Sequence, residues 1–294
     1  MWPKAYLSTS VFRSKQFVFV VGENQTAFTV HSAIIAKQSK ALDVLINGSM
    51  REASEGKAVF EDIEEDTFIR FCQFAYTRDY TTPGFTHVPS IELLDISPPD
   101  ALSYVASSTD RDNSIEPAPV PAPIDDFGWR SATPKAETPK KPSKSSLLRQ
   151  SLHDQHYNIE TIRGILATRC EVRQNSDPIE DYTTVFLGHA QLYVFAEKWG
   201  IESLRTLALL KLRKALTSFT LYTARRPGMV ELLRYTFNYT PDLVDAVDDL
   251  RSLVILYTAC EVENLIHCPE FLSLISEGGQ LAQNLVQMLM NRIS

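Results

Sequence analysis

Residues 28–47 read FTVHSAIIAKQSKALDVLIN, a short apolar strand followed by two helix-like runs, with His31-Ser32 at the first join and Ser39 at the second. Ser39 is placed to cap the second helix, which carries Leu42, Leu45 and Ile46 inward until Asn47-Gly48 stops it. The break is therefore a corner between packed elements, and the stretch is scaffold. Upstream, FVFVV (17–21), the turn GENQ (22–25) and AFTV (27–30) read as a β-hairpin. Downstream, KAVFEDI (57–63) is a further strand. Phe68, Phe71, Cys72 and Ala75 then recur at i, i+3, i+4 and i+7, one apolar helix face.

Prolines divide the chain. The run PAPVPAP (117–123) favours extended conformations and gives a core little to bury. Acidic residues gather over 107–126 and lysines over 131–150, so about 107–150 reads as a disordered linker and 81–106 as loop with room for one short ordered piece. Beyond it the pattern is helical. Leu192, Phe195, Ala196 and Trp199 repeat the helical spacing before Gly200. IESLRTLALLKLRKAL (201–216) forms the next helix. Leu250, Leu253, Val254, Tyr257 and Glu261 mark an amphipathic stretch, and Leu281, Leu285, Met288 and Leu289 a last one.

With 294 residues, 44% of them hydrophobic, the chain can bury one sizeable core or two modest ones. A net charge of −7 and a pI near 5.4 disfavour nucleic acid as a partner. No apolar run is long enough to span a bilayer, and MWPKAYLSTSVFRSK lacks the apolar stretch of a signal peptide, so cytoplasm or nucleus is expected. Cys72, Cys170, Cys260 and Cys268 show no paired spacing and are expected to be free thiols.

The order of hairpin, two helices, strand, helix and a helix pair resumed after an insertion resembles the BTB/POZ domain. FVFVVGENQTAFTVHSAIIAKQS, FEDIEEDTFIRFCQFAYTRDY and LYVFAEKWGIESLRTLALLKL carry the resemblance, over about 15–80 and 187–212. The insertion before EDYTTVFLGHAQLYVFAEKWGIESLR and the helices beyond 216 are similar to the arrangement in BTB proteins of filamentous fungi. The resemblance implies an α+β fold. Residues 1–80 would form the first part of the domain, 81–184 a largely disordered insertion, 185–216 the closing helix pair and 217–294 an α-helical extension. It also implies that His31 packs at the domain centre, its ring bonding nearby backbone groups, and that Phe71 and Trp199 meet in one core.

BTB domains are protein-interaction modules, and many are homodimers. The pairing surface here would draw on residues 1–16 and the helices at 32–47. Trp2, Tyr6, Leu7, Val11 and Phe12 are apolar enough to pack across a two-fold axis, or to cover their own domain. Adaptors for cullin-type ubiquitin ligases often carry an apolar residue, any residue, then Glu after the second helix. Met50-Arg51-Glu52 stands there, with an ordinary exposed loop as the competing reading. BTB repressors place an Asp and a basic residue where this chain has Gln16 and Ser32, and no zinc-finger spacing follows, so a DNA-binding repressor is not expected. A scaffold or transcription-associated regulator with no ubiquitin link is the alternative.

Other constellations are weaker. His153, His156, His189 and Cys170 match no closed zinc motif. No phosphate-cradling glycine loop, Gly-x-Ser-x-Gly elbow or His-Glu-x-x-His occurs, so neither a cofactor nor catalysis is expected. Glu64-Glu65 and Asp248-Asp249 read as solvated faces or helix-start charges. Thr138-Pro139-Lys140-Lys141 fits the proline-directed kinase pattern, which makes Thr138 a candidate phosphosite, and PKKPSK is a weak candidate nuclear address.

Overall fold

The computed structural model describes residues 9–88, 149–152, 173–242 and 246–293. A four-residue helix, α1 (Thr9–Phe12), leads into β1 (Gln16–Val21), which pairs antiparallel with β2 (Thr26–His31), Gln16 opposite His31. The turn needs positive φ at both ends, supplied by Gly22 (φ 74°) and Gln25 (φ 54°). Period-2 alternation buries Phe17, Phe19 and Val21 of β1 on one face. β3 (Lys57–Phe60) pairs parallel to β1, giving the order β2-β1-β3 with β1 central. A parallel neighbour requires a crossover. It is made by α2 (Ser32–Ala36), α3 (Lys40–Asn47) and α4 (Arg51–Glu55).

The Ser39 hydroxyl accepts from the Leu42 amide at 3.2 Å, the cap the sequence calls for, and Leu42 and Ile46 are buried. Gly48 is required by space rather than by φ: a Cβ there would lie 2.3 Å from the Val44 carbonyl oxygen. The buried face of the sheet rests on α5 (Glu65–Thr77). Phe68 lies 5.1 Å from Phe19 and 6.1 Å from Phe60 between ring centroids.

After α5 the chain makes a two-residue strand, β4 (Thr86–His87), paired antiparallel with β5 (Glu180–Asp181). The Val88 amide donates to the Ile179 carbonyl, so departing and returning chains sit side by side. Helix α6 (Thr183–Lys198) follows, then α7 (Glu202–Ser218), with Gly200 between them at φ 64°. Phe195 of α6 meets Phe71 of α5 at 4.9 Å, and Trp199 stacks on Phe60 at 4.9 Å. The expected meeting of Phe71 and Trp199 is thus made through Phe195 and Phe60. Phe71 is fully buried, while Trp199 is half-buried against the core.

The remaining helices are α8 (Arg226–Tyr239), α9 (Asp249–Cys260), α10 (Val262–Leu265), α11 (Pro269–Ser276) and α12 (Gly279–Ile293). They do not form a separate layer beyond residue 216. α8 packs on α6 and α9 on α7, and one apolar core runs from Val11 to Leu285. α9 is buried on nearly all sides, Ile255, Leu256, Thr258 and Ala259 included, rather than along the single stripe its sequence suggests. At the end of the expected linker, Arg149 pairs with Glu261 at 2.6 Å and Leu152 is buried. Among the described residues no helix is long and apolar enough to cross a membrane.

Truncating Phe71 to Ala removes a ring from a site with no room to collapse, and a loss of about 3–5 kcal/mol is expected by urea denaturation. Val286→Ala, on an exposed face of α12, should change stability by less than about 0.5 kcal/mol.

Candidate functional site

At the end of the sheet where β1 begins, residues from four elements surround a cleft of about 310 Å³. Lys15 and Gln16 lead into β1, Ser32 opens α2, Ile46 comes from the end of α3, and Met50 precedes α4. The Ser32 amide donates to the Lys15 carbonyl at 2.9 Å. The Ser14 hydroxyl donates to the Val11 carbonyl at 2.6 Å, tying α1 to this edge. Gln16 and Ser32, the two departures from the repressor pattern, both line the cleft, and Lys15 is its one ionisable lining residue.

Met50 stands 51% exposed on the rim. Glu52 lies in the first turn of α4, half-buried, and is not among the lining residues. The tripeptide is therefore on the surface, but its two marked side chains do not share this cleft. Arg51 between them is paired with Glu55 at 2.9 Å.

Of the expected pairing residues, Val11 is buried in its own domain and Phe12 is 61% exposed, its ring edge-on to His31 at 5.7 Å. Trp2, Tyr6 and Leu7 lie outside the described residues, as do Thr138, His153, His156 and Cys170. His31 departs from its expected place. It is half-buried at the corner rather than at the centre, and its ring partner is a side chain instead of backbone. The Tyr76 hydroxyl accepts from the His31 amide at 3.1 Å and is also hydrogen-bonded to His31 Nδ1, at 2.9 Å. β2 is so pinned to α5 at the moment the chain turns into α2. Tyr76 continues the Phe68/Phe71/Cys72/Ala75 stripe at i+8, but its bond to His31, 45 residues away, has no signature in the sequence.

Perturbed ionisable groups often mark chemistry, but Cys72 and His189 owe their shifts chiefly to burial in the core. Burial alone pushes the Cys72 thiol up to about 12, which leaves it a poor nucleophile. His189, 1% exposed, is bonded through Nδ1 to the Tyr80 hydroxyl at 2.8 Å. Burial first, then the Lys211 and Arg70 charges, hold its pKa down to about 3. Lys211 is itself buried, paired with Asp79, donating to the Tyr80 carbonyl and lying 4.1 Å over the Tyr80 ring. This is an internal strut joining the end of α5 to α6 and α7. The cue for Lys211 was present in LALLKL, a lysine inside an apolar run; its partner was not. Among the described residues no group of three His, Cys, Asp or Glu side chains is arranged to hold a metal ion.

No protein-family model matches this chain, and no curated protein matches it.

His189 yields a signed pH dependence. Unfolded, the ring protonates near its ordinary 6.5; folded, it resists until about 3. Its contribution to stability is complete above 6.5 and is lost progressively as pH falls toward 3. Urea midpoints measured across that range should fall with decreasing pH, and less steeply in His189→Gln.

Proposed function

We propose that this chain is a BTB/POZ-type protein-interaction module, homodimeric, acting in the cytoplasm or nucleus as an adaptor that recruits substrates to a cullin-type ubiquitin ligase and performing no catalysis of its own. The observation that carries the reading is the docking of the hairpin–helix block onto the α6–α7 pair across the long insertion, through Phe71 and Phe195. The element order, a hairpin, short helices, a strand, a helix and then a helix pair, is compatible with the order on which the resemblance rests.

Exposed apolar side chains support a binding role for the end of the domain near β2 and α3. Phe12 over His31, Val44 on α3 and Met50 at the cleft rim all face solvent. Burying such side chains across a two-fold axis would yield the apolar centre that homodimer interfaces need. Light scattering of the full chain at micromolar concentration should give the mass of a dimer, and Phe12→Glu should shift it to monomer; a wild-type chain found only as monomer refutes the pairing.

For the cullin contact, Met50 offers an adaptable apolar knob and Glu52 an acceptor for donors on the partner. Capture of a cullin on immobilised protein should be lost in the Met50→Ala/Glu52→Ala variant with an unchanged melting temperature; unchanged capture contradicts this role. A scaffold without a ubiquitin link is the second reading. It is favoured by one observation, that Glu52 does not line the cleft that Met50 rims.

A further inference from the structure

At the opposite end of the sheet, where β1 runs out into Gly22 and β3 into Glu61, two clefts adjoin and share Asp62, Ile63 and Glu64. One, of about 400 Å³, has an apolar floor that includes Ile63, Val194 and Phe195 and a wall made by Tyr235 and Tyr239 of α8. These two tyrosines lie one helical turn apart and stack at 4.6 Å, and Tyr239 is 62% exposed. The groove is thus lined by a stacked aromatic pair, one ring of which is largely exposed to solvent.

The adjoining cleft, of about 590 Å³, extends this groove with carboxylates: Glu23, Glu61, Glu65 and Asp66 join the shared Asp62 and Glu64. Local partners occupy some of them. Lys198 binds Asp62, Arg70 binds Asp66 at 3.0 Å, Gln191 donates to Glu64 at 2.7 Å, and Thr26 donates to Glu65 at 2.8 Å. Glu23 and Glu61 are exposed and bond to no described residue. The aromatic wall thus stands beside a field whose negative charges outnumber the two cations paired within it.

An apolar groove alone would not name its occupant; this pairing does. An arginine guanidinium is planar and weakly hydrated, so it stacks on a ring face while its N–H fork reaches a carboxylate. A lysine ammonium is also drawn to a ring face, but it is compact and strongly hydrated and offers neither a planar stack nor a fork of donors. We propose that this groove binds an extended, arginine-bearing segment of a partner protein, one arginine stacked on Tyr239 and a neighbouring basic residue facing Glu23 and Glu61. The groove is at the other end of the strands from the Met50 cleft, so it is a second binding face and stands whether or not the first one recruits a cullin.

The test uses the full chain and a fluorescein-labelled nonapeptide alternating Ser and Arg, followed by anisotropy at physiological salt. Binding is expected with a Kd on the order of 10 μM. The same peptide with Lys for Arg should bind about tenfold more weakly. Tyr239→Ala should weaken the Arg peptide about tenfold while Tyr239→Phe, which keeps the ring, retains it. Glu23→Gln/Glu61→Gln should weaken both peptides about tenfold. All three positions are exposed, and unchanged melting temperatures confirm that the variants fold. Three results overturn the proposal. They are absence of binding, equal binding of the two peptides with no effect of Tyr239→Ala, or self-association of the chain abolished by Tyr239→Ala, which would make a second copy the occupant.

Discussion

The contact between Phe71 and Phe195 holds together what the chain separates. A small sheet packed on one helix leaves the far side of that helix without cover. Here α5 covers one face of the sheet and needs cover of its own on the side that carries Phe71. α6 supplies it, with Phe195 2% exposed and Phe71 fully buried. Because α8 packs on α6 and α9 on α7, the C-terminal helices are held by the same contact at one remove. Without it the sheet would expose an aromatic face and the helices would lose their inner wall.

Apolar packing alone leaves the orientation of helices loosely set; directional bonds fix it. Burying a charge is unfavourable unless it is paired or hydrogen-bonded, and the buried charges of Lys211, Asp248 and Arg251 each find such partners outside their own element. Lys211 of α7 meets Asp79 and the Tyr80 carbonyl beyond α5. Asp248 accepts from the Tyr193 hydroxyl of α6 at 2.9 Å and from the first amides of α9. Burial, with the Asp248 carboxylate next, raises the Tyr193 phenol pKa, so it stays a donor. Arg251 of α9 reaches Thr240, Asp242 and the Phe237 carbonyl at the end of α8. These struts fix the end of α5 against α7, and α9 against α6 and the end of α8. The Met50 cleft lies at one end of the sheet and the tyrosine groove at the other.

Local features were legible in the sequence because their causes are local. The hairpin follows from period-2 burial with Gly22 at the turn, the α3 cap from Ser39, and the end of α6 from Gly200. Contacts between distant positions had no such signature. Tyr76 meeting His31, Lys211 meeting Asp79, and Tyr235 and Tyr239 flanking residues 62–64 arise from tertiary packing alone. α9 shows the limit of a periodicity argument. The stripe of Leu250, Leu253, Val254 and Tyr257 is real, but Ile255, Leu256, Thr258 and Ala259 off it are buried too, because other helices cover α9 on its remaining sides. Met50 precedes α4 and is exposed, whereas Glu52 lies in its first turn and is half-buried, so the two side chains meet different surroundings, which their spacing in the sequence did not reveal.

The most direct measure of the central claim is hydrogen exchange on the full chain across a urea series, with peptides covering α5 (65–77) and α6 (183–198) followed together. If both helices share one core, their most protected amides open at the same urea concentration and with the same dependence on it. Separate transitions, with α5 opening while α6 remains protected or the reverse, would contradict a body built on the Phe71–Phe195 contact.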